Sequence, residues 1–331
     1  MQKGLVSIIT PCYNTGDIVH RLLDSVLLQD YPNVEMFTID DGSSDNTEEV
    51  IKSYIPKFKE KGYTLTYVKQ ENGGQSSALN NGLKLVKGEF LIWPDSDDYF
   101  SKSYALSKFV EELQKRDYTY GVVRCVPTYI DEDTLSEIGK YIIDSEYYNE
   151  HQFENCLYAT HFFWGAGNYM IKTEALDKVN PSREIYVEKN AGQNWQMFLP
   201  ILYFYKCITI EESLFNILAR SSSHSRGTYK SYEQQLLKYN SYQNTILETL
   251  NSMSLIPTIE KEKYSRDIRI KYKLNEIELA VLHKRTSEIK RIKRELSHEG
   301  YFVSKKWEFK LRFSHSILGK AAIKILHFFR G

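Results

Sequence analysis

Twice within the first hundred residues a short apolar run ends abruptly in a cluster of acids. Met36 to Ile39 gives way to Asp40-Asp41-Gly42-Ser43-Ser44, and Phe90 to Trp93 gives way to Pro94-Asp95-Ser96-Asp97-Asp98. Runs this brief, bounded by turn residues, suit strands covered on both faces. Leu5 to Thr10 reads the same way, and Val19, Leu22, Leu23, Val26 and Leu27 follow it as one apolar stripe at helical spacing. Asp45, with Glu48 three residues on, reads as an N-cap opening a helix through Tyr54. Leu65 to Val68 alternates as a third strand, Gly73-Gly74 is a turn, and Ala78 to Val86 is a helix stopped at Gly88. Strands alternating with helices predict an α/β fold with a mostly parallel, Rossmann-like sheet. Such sheets bind ligands beyond the carboxyl ends of their strands, which is where both acidic clusters fall.

The 331 residues leave room for an appendage beside that domain. Residues 101–225 are mixed, with aromatic stretches at His161-Phe162-Phe163-Trp164 and from Trp195 to Tyr205. Glu233 to Leu250, Ile259 to Leu282 and Glu288 to Leu296 are charged, helix-periodic segments with few breakers. The expected division is a body over 1–225, in halves of about 1–100 and 101–225, and a helical region over 226–331. Lys plus Arg and Asp plus Glu are balanced at 43 each, and no nucleic-acid motif is found, so no nucleic-acid partner is expected. Cys12, Cys125, Cys156 and Cys207 lie too far apart for a zinc ribbon or a redox pair and fit reduced thiols in the cytoplasm. No stretch approaches the ~18 uninterrupted apolar residues of a spanning helix, so the chain reads as soluble or peripheral.

Chemistry concentrates at the strand ends. Asp95 and Asp97, two apart after a buried strand, offer the oxygen ligands that a hard divalent cation such as Mn2+ or Mg2+ requires, with a nucleotide pyrophosphate supplying others. Such a cation would act as a Lewis acid on a leaving diphosphate. A solvated acidic loop is the plainer account of the same residues, and their place behind a buried strand favours the site. The carboxylate of Asp41 can accept from a uracil N3–H or ribose hydroxyls, whereas helix capping accounts for the neighbouring Asp45; Asp41 is expected to point into the cleft. Pro11-Cys12-Tyr13-Asn14 would form a third wall, a rigid turn with Tyr13 near the nucleoside. No Gly-x-Gly-x-x-Gly occupies that place, which removes a dinucleotide-dependent oxidoreductase.

Taken together, Ser7 to Asn14, Ile39 to Asp45, Asn72-Gly73-Gly74, Gly88 to Leu91 and Asp95 to Asp98 resemble glycosyltransferase family 2 in order and approximate spacing. The resemblance is strong over residues 4–100, fainter to about 225, and does not cover the region beyond. It implies an A-type glycosyltransferase fold and an inverting transfer of a sugar, UDP-linked, from a nucleoside-diphosphate donor to an acceptor hydroxyl on a glycan or lipid-linked chain. By match of motif, Asp41 would contact the base, Asp95 the ribose or donor sugar, and Asp97 the metal. Pro11, Tyr13, Asn14, Asn72, Gly74 and Ser96 would complete the donor site. The family's catalytic base is an Asp at a helix start, and Asn194 stands in that place in Gly192-Gln193-Asn194-Trp195-Gln196, with Glu188 or Glu184 as the alternative acid. His224 falls where similar enzymes close a polar loop over the diphosphate, as a candidate metal ligand, with Arg226 as a phosphate partner. From Lys305 to Arg330, seven basic residues alternate with large apolar ones, which suits an anionic membrane surface on the inner face of the plasma membrane or a helix packed on the body. Because an amide replaces the expected base, a sugar-nucleotide binding protein without turnover is the rival reading.

Overall fold

A computed structural model describes residues 1–139, 143–189, 191–220 and 231–304. The chain divides into two compact units, one of Met1–Arg220 with Ser252–Leu255, the other of Ser221–Asn251 with Ile256–Gly331.

The first unit opens with β1 (Gln2–Cys12), α1 (Val19–Leu27), β2 (Val34–Asp40), α2 (Thr47–Lys61), β3 (Thr64–Lys69), α3 (Gln75–Leu83) and β4 (Gly88–Ile92). It continues with β5 (Tyr99–Phe100), α4 (Ala105–Gln114), β6 (Tyr120–Asp131), β7 (Glu137–Gly139), α5 (Phe153–Tyr158), β8 (Tyr169–Lys172), α6 (Thr173–Val179), α7 (Asn194–Phe204) and β9 (Lys206–Ala219). Among the described residues these strands form one sheet in the order β3-β2-β1-β4-β8-β6-β9-β5, with β7 paired to β6. The first four are parallel to one another, and β8 enters antiparallel to both β4 and β6. That antiparallel insertion divides the parallel β3-β2-β1-β4 part of the sheet from the rest.

The core explains the register. Val6 and Ile8 of β1 and Met36 of β2 lie in one buried cluster with Leu22, Leu23 and Val26 of α1 and Ile51 and Phe58 of α2. Ile9, on the opposite face of β1, meets α3 at Gly82, where an added Cβ would lie 2.4 Å from Ile9 Cγ2. The central strands are therefore apolar on both faces, which is why they read as runs and not as alternation.

Several boundaries differ from the sequence expectation. Helix α3 begins at Gln75, three residues before Ala78, and Gly88 starts β4 instead of ending a helix. A side chain at Gly88 would strike Ser7 Oγ at 2.6 Å and Leu5 O at 2.7 Å, so close strand packing requires this glycine. Helix α2 starts at Thr47; Asp45 accepts from Thr47 N–H and Thr47 Oγ1, but Glu48 turns outward to Lys52 and Lys69, so no capping box closes. Pro11 lies inside β1 paired with Ile39, not in a turn. Its missing N–H is tolerated where the β4 side of the ladder has ended, at the Ile8–Ile92 pair.

The second unit contains α8 (Tyr232–Ser252), α9 (Thr258–Leu282) and α10 (Thr286–His298). Ile277 of α9 packs with Ile292 and Leu296 of α10, and Tyr232 of α8 packs with Leu279 and Ala280.

Candidate active site

The carboxyl ends of β1 to β4 bring the expected loops together. Asn14, in the left-handed region at φ 50°, ties the first loop to the second. Its N–H donates to Ser43 Oγ at 2.9 Å, and its Oδ1 accepts from Ser44 N–H at 2.9 Å. Tyr13 beside it is 51% exposed, leaving its ring face open. Asp40 is fully buried and accepts from Ser43 N–H and the Tyr67 hydroxyl.

Asp41 is not open to the cleft as expected. It is buried and accepts from Gln70 Nε2 at 2.7 Å, Gly73 N–H at 2.8 Å and Gly74 N–H at 2.8 Å. Asn72 Nδ2 adds a bond to the Asp41 carbonyl at 3.0 Å. The physical reason is the Gly73-Gly74 turn leading into α3, whose N–H groups both point at the carboxylate close to the positive end of the helix. Gly74 takes φ 88° there, a conformation that favours glycine.

Beyond β4, the side chains of Asp95 and Asp97 are partly shielded while Ser96 and Asp98 are buried. Asp95 Oδ1 receives Gln75 Nε2 from the first turn of α3 and, at 3.3 Å, Gln193 Nε2 from the residue preceding α7. Burial first, and Asp97 second, push the Asp95 carboxyl up to about 7, against the two amide donors. Asp98 is pushed well above the usual carboxylate range by burial and then by Asp97 and Asp95, with Leu218 N–H and Arg220 opposing. Asp97 Oδ2 faces Arg220 Nη1 at 3.3 Å. The cluster is thus crowded with negative charge and offers oxygen donors only, which fits a hard divalent cation. Among the described residues, no group of three or more His, Cys, Asp or Glu side chains is arranged to hold a metal ion.

At the start of α7, Asn194 Nδ2 donates to Trp164 O at 2.7 Å while its buried Oδ1 has no partner. Glu188 is half-buried on a segment that abuts α3, since a Cβ on Gly74 would lie 3.6 Å from Lys189 Cα. Glu184 is elsewhere, exposed and paired with Lys84 at 3.4 Å. His161 is exposed and pairs with Asp144, while Trp164 packs against Trp195 and Phe162. His224, Arg226 and the segment from Lys305 onward lie outside the described residues. Sequence reasoning missed Gln75, Gln193, Glu132 and Arg220, for which no local pattern gives a signal.

A solved structure of S. aureus TarS 1-349 in complex with UDP-GlcNAc is similar in fold, with a TM-score of 0.61 at 17% identity over 98% of this chain and 89% of that one. A mannosyltransferase of Pyrobaculum calidifontis, solved with GDP-Man and Mn2+, gives a TM-score of 0.51 at 16% identity over 98% and 88%. The architecture is that of an A-type glycosyltransferase with a helical C-terminal region. In sequence, an uncharacterized glycosyltransferase of Rickettsia typhi is 27% identical over 82% of this chain and 80% of its own length. Glycosyltransferase GlyA of Streptococcus pneumoniae is 31% identical over 45% of this chain, a match spanning only 20% of GlyA. The model of the family described as glycosyl transferase family 2 matches residues 7–179, just over half of the chain, and the chain belongs to that family.

Proposed function

We propose that this glycosyltransferase moves a sugar from a UDP-linked donor to an acceptor hydroxyl, with inversion, in the assembly of a bacterial surface polysaccharide or glycan. The observation that carries the reading is the Asp95-Asp97-Asp98 cluster beyond β4, met by Gln75 from the first turn of α3 and by Leu218 and Arg220 at the end of β9. Asp97 would hold Mn2+ or Mg2+, with diphosphate oxygens and the proposed ligand His224 completing the set. The bound cation would supply Lewis-acid neutralisation of the leaving diphosphate.

The remaining roles belong to the chain's own residues. The second oxygen of Asp95 is left to accept a donor hydroxyl, because Gln75 and Gln193 both occupy Oδ1. Asp41 shapes the base subsite from behind, by holding the Asn72-Gly73-Gly74 turn through its bonds to Gln70, Gly73 and Gly74. Tyr13 offers a ring face to the base, with Pro11, Asn14 and Ser96 framing the pocket. Glu188 is the proposed base, since the Asn194 amide has no useful basicity. A second reading, donor binding without turnover, is favoured by one observation: the start of α7 presents two amides, Gln193 and Asn194, and no acid. The acceptor is proposed to be glycan or lipid-linked, reached from the inner face of the plasma membrane through the basic, aromatic tail. Among the described residues no helix is long and apolar enough to cross a membrane.

A thermal-shift panel of UDP, GDP and their sugars, with and without MnCl2, tests the donor assignment. Ligands that bind the native state raise apparent stability by mass action. A metal-dependent shift with UDP larger than with GDP is expected; a larger shift with GDP would contradict it.

A further inference from the structure

The end of β9 braces the acidic cluster at two points. Leu218 N–H donates to Asp98 Oδ1 at 2.8 Å, and two residues on, Arg220 Nη1 pairs with Asp97 Oδ2 at 3.3 Å. The parallel register of β6 and β9 sets Asp131 opposite Ala219, so the residues that follow, Glu132 and Arg220, emerge side by side. Arg220 Nε meets Glu132 Oε1 at 3.1 Å. One guanidinium therefore bridges two carboxylates, and only one of these, Asp97, belongs to the cluster beyond β4. The side chains of Asp97, Glu132 and Arg220 are 26%, 31% and 27% exposed, so the pairs are shielded more than surface ion pairs but not sealed from water.

We infer that Arg220 is the resident counter-ion of Asp97, that a divalent cation displaces it, and that the released guanidinium turns to the diphosphate, so cation and nucleotide bind cooperatively. The inference rests on the donor and metal reading above. A cation on Asp97 and a guanidinium 3.3 Å from the same carboxylate repel each other, so the pair must open. Glu132 keeps its hold on Nε, leaving the planar fork tethered near the site and free to meet an anion in bidentate fashion. A bare cation must break the Asp97 pair without return, whereas a cation arriving with diphosphate gives Arg220 a new partner. Linkage then requires the nucleotide to tighten the cation as much as the cation tightens the nucleotide.

The test is calorimetric titration of MnCl2 into the full chain, alone and with saturating UDP, for wild type, Arg220→Met, Arg220→Lys, Glu132→Gln and Asp97→Asn, each checked for folding by its thermal melt. Arg220→Met should bind Mn2+ alone about three- to tenfold tighter, the scale of a partly shielded ion pair, and show an enhancement by UDP that is smaller by the same factor, the part that diphosphate oxygens give as direct ligands remaining. Arg220→Lys keeps the charge but has no fork to divide between Glu132 and the diphosphate, so it should bind Mn2+ alone near wild type and show less of the UDP enhancement. Glu132→Gln should bind Mn2+ alone more weakly, because Arg220 then serves Asp97 alone; this arm stands even where Arg220→Met fails to fold. Asp97→Asn should bind no Mn2+. A folded Arg220→Met that binds Mn2+ alone no tighter than wild type, or a Glu132→Gln that binds it more tightly, overturns the inference while leaving the metal site standing. Absence of both Mn2+ and UDP binding in the wild type overturns the donor reading and the inference with it.

Discussion

The Asp41 carboxylate caps a helix that begins 34 residues after it in sequence, accepting from Gln70, Gly73 and Gly74. Asn at this position has one acceptor oxygen in place of two, so at least one loop N–H loses its partner. Asp41→Asn is expected to cost about 1–3 kcal/mol in urea denaturation and to weaken UDP binding; unchanged stability would remove the capping role. At the start of α7, Asn194→Asp should leave transfer within about tenfold of wild type or improve it, while Glu188→Gln should lower kcat by about 100-fold or more, the range of a lost general base. Full activity in Glu188→Gln would eliminate Glu188. Asp95 and Asp97 stood out in sequence because a buried strand announces its own end. Their partners did not: Gln75, Gln193 and Arg220 reach Asp95 or Asp97 across 20, 98 and 123 residues, and only the folded register brings them there.

At the level of elements, the first four strands and their helices could be read from short apolar runs and one 3.6-residue stripe, since both depend on neighbours in the sequence. The errors fall where an element answers to something distant. Helix α3 starts early because Asp41, on another strand's end, fixes the Gly73-Gly74 turn that leads into it by accepting from both N–H groups. Gly88 looked like a helix stop but is a contact residue: its N–H donates to Ser7 Oγ at 2.9 Å, and Ser7 Oγ in turn donates to Glu35. Gly88→Ala should therefore push β4 off β1 and cost about 1–3 kcal/mol, in the manner of an overpacked core. Equilibrium denaturation checks this, and a change below about 0.5 kcal/mol would mean the strands can separate without penalty.

At the scale of the molecule, each unit carries its own tests. In the second, burial pushes the Lys271 ammonium down to about 8 from 10.5. A base so depressed binds its proton more weakly folded than unfolded, so stability rises with pH between about 8 and 10.5, and the penalty is present in full below 8. Lys271→Met should raise the Tm at pH 7, with the gain shrinking as pH approaches 10.5; a gain that does not change with pH would contradict the burial account. Truncation before Lys305 should spare donor hydrolysis but reduce co-sedimentation with anionic liposomes at low salt, each engaged basic residue contributing about 1 kcal/mol. A truncated protein that aggregates would instead place the segment on the body of the enzyme. The long helices of α8 to α10 were legible from periodicity, whereas the bracing of the first unit's acidic cluster by β9 was not, because a β-ladder leaves no local trace of its partner. The central claim is metal-dependent use of a nucleotide sugar through Asp97, and release of nucleoside diphosphate from a panel of UDP- and GDP-sugars with MnCl2 tests it most directly. The account predicts UDP release that EDTA abolishes and that Asp97→Ala lowers by about 100-fold or more. Undiminished release by a well-folded Asp97→Ala protein, or no release from any donor by the wild type, would contradict it.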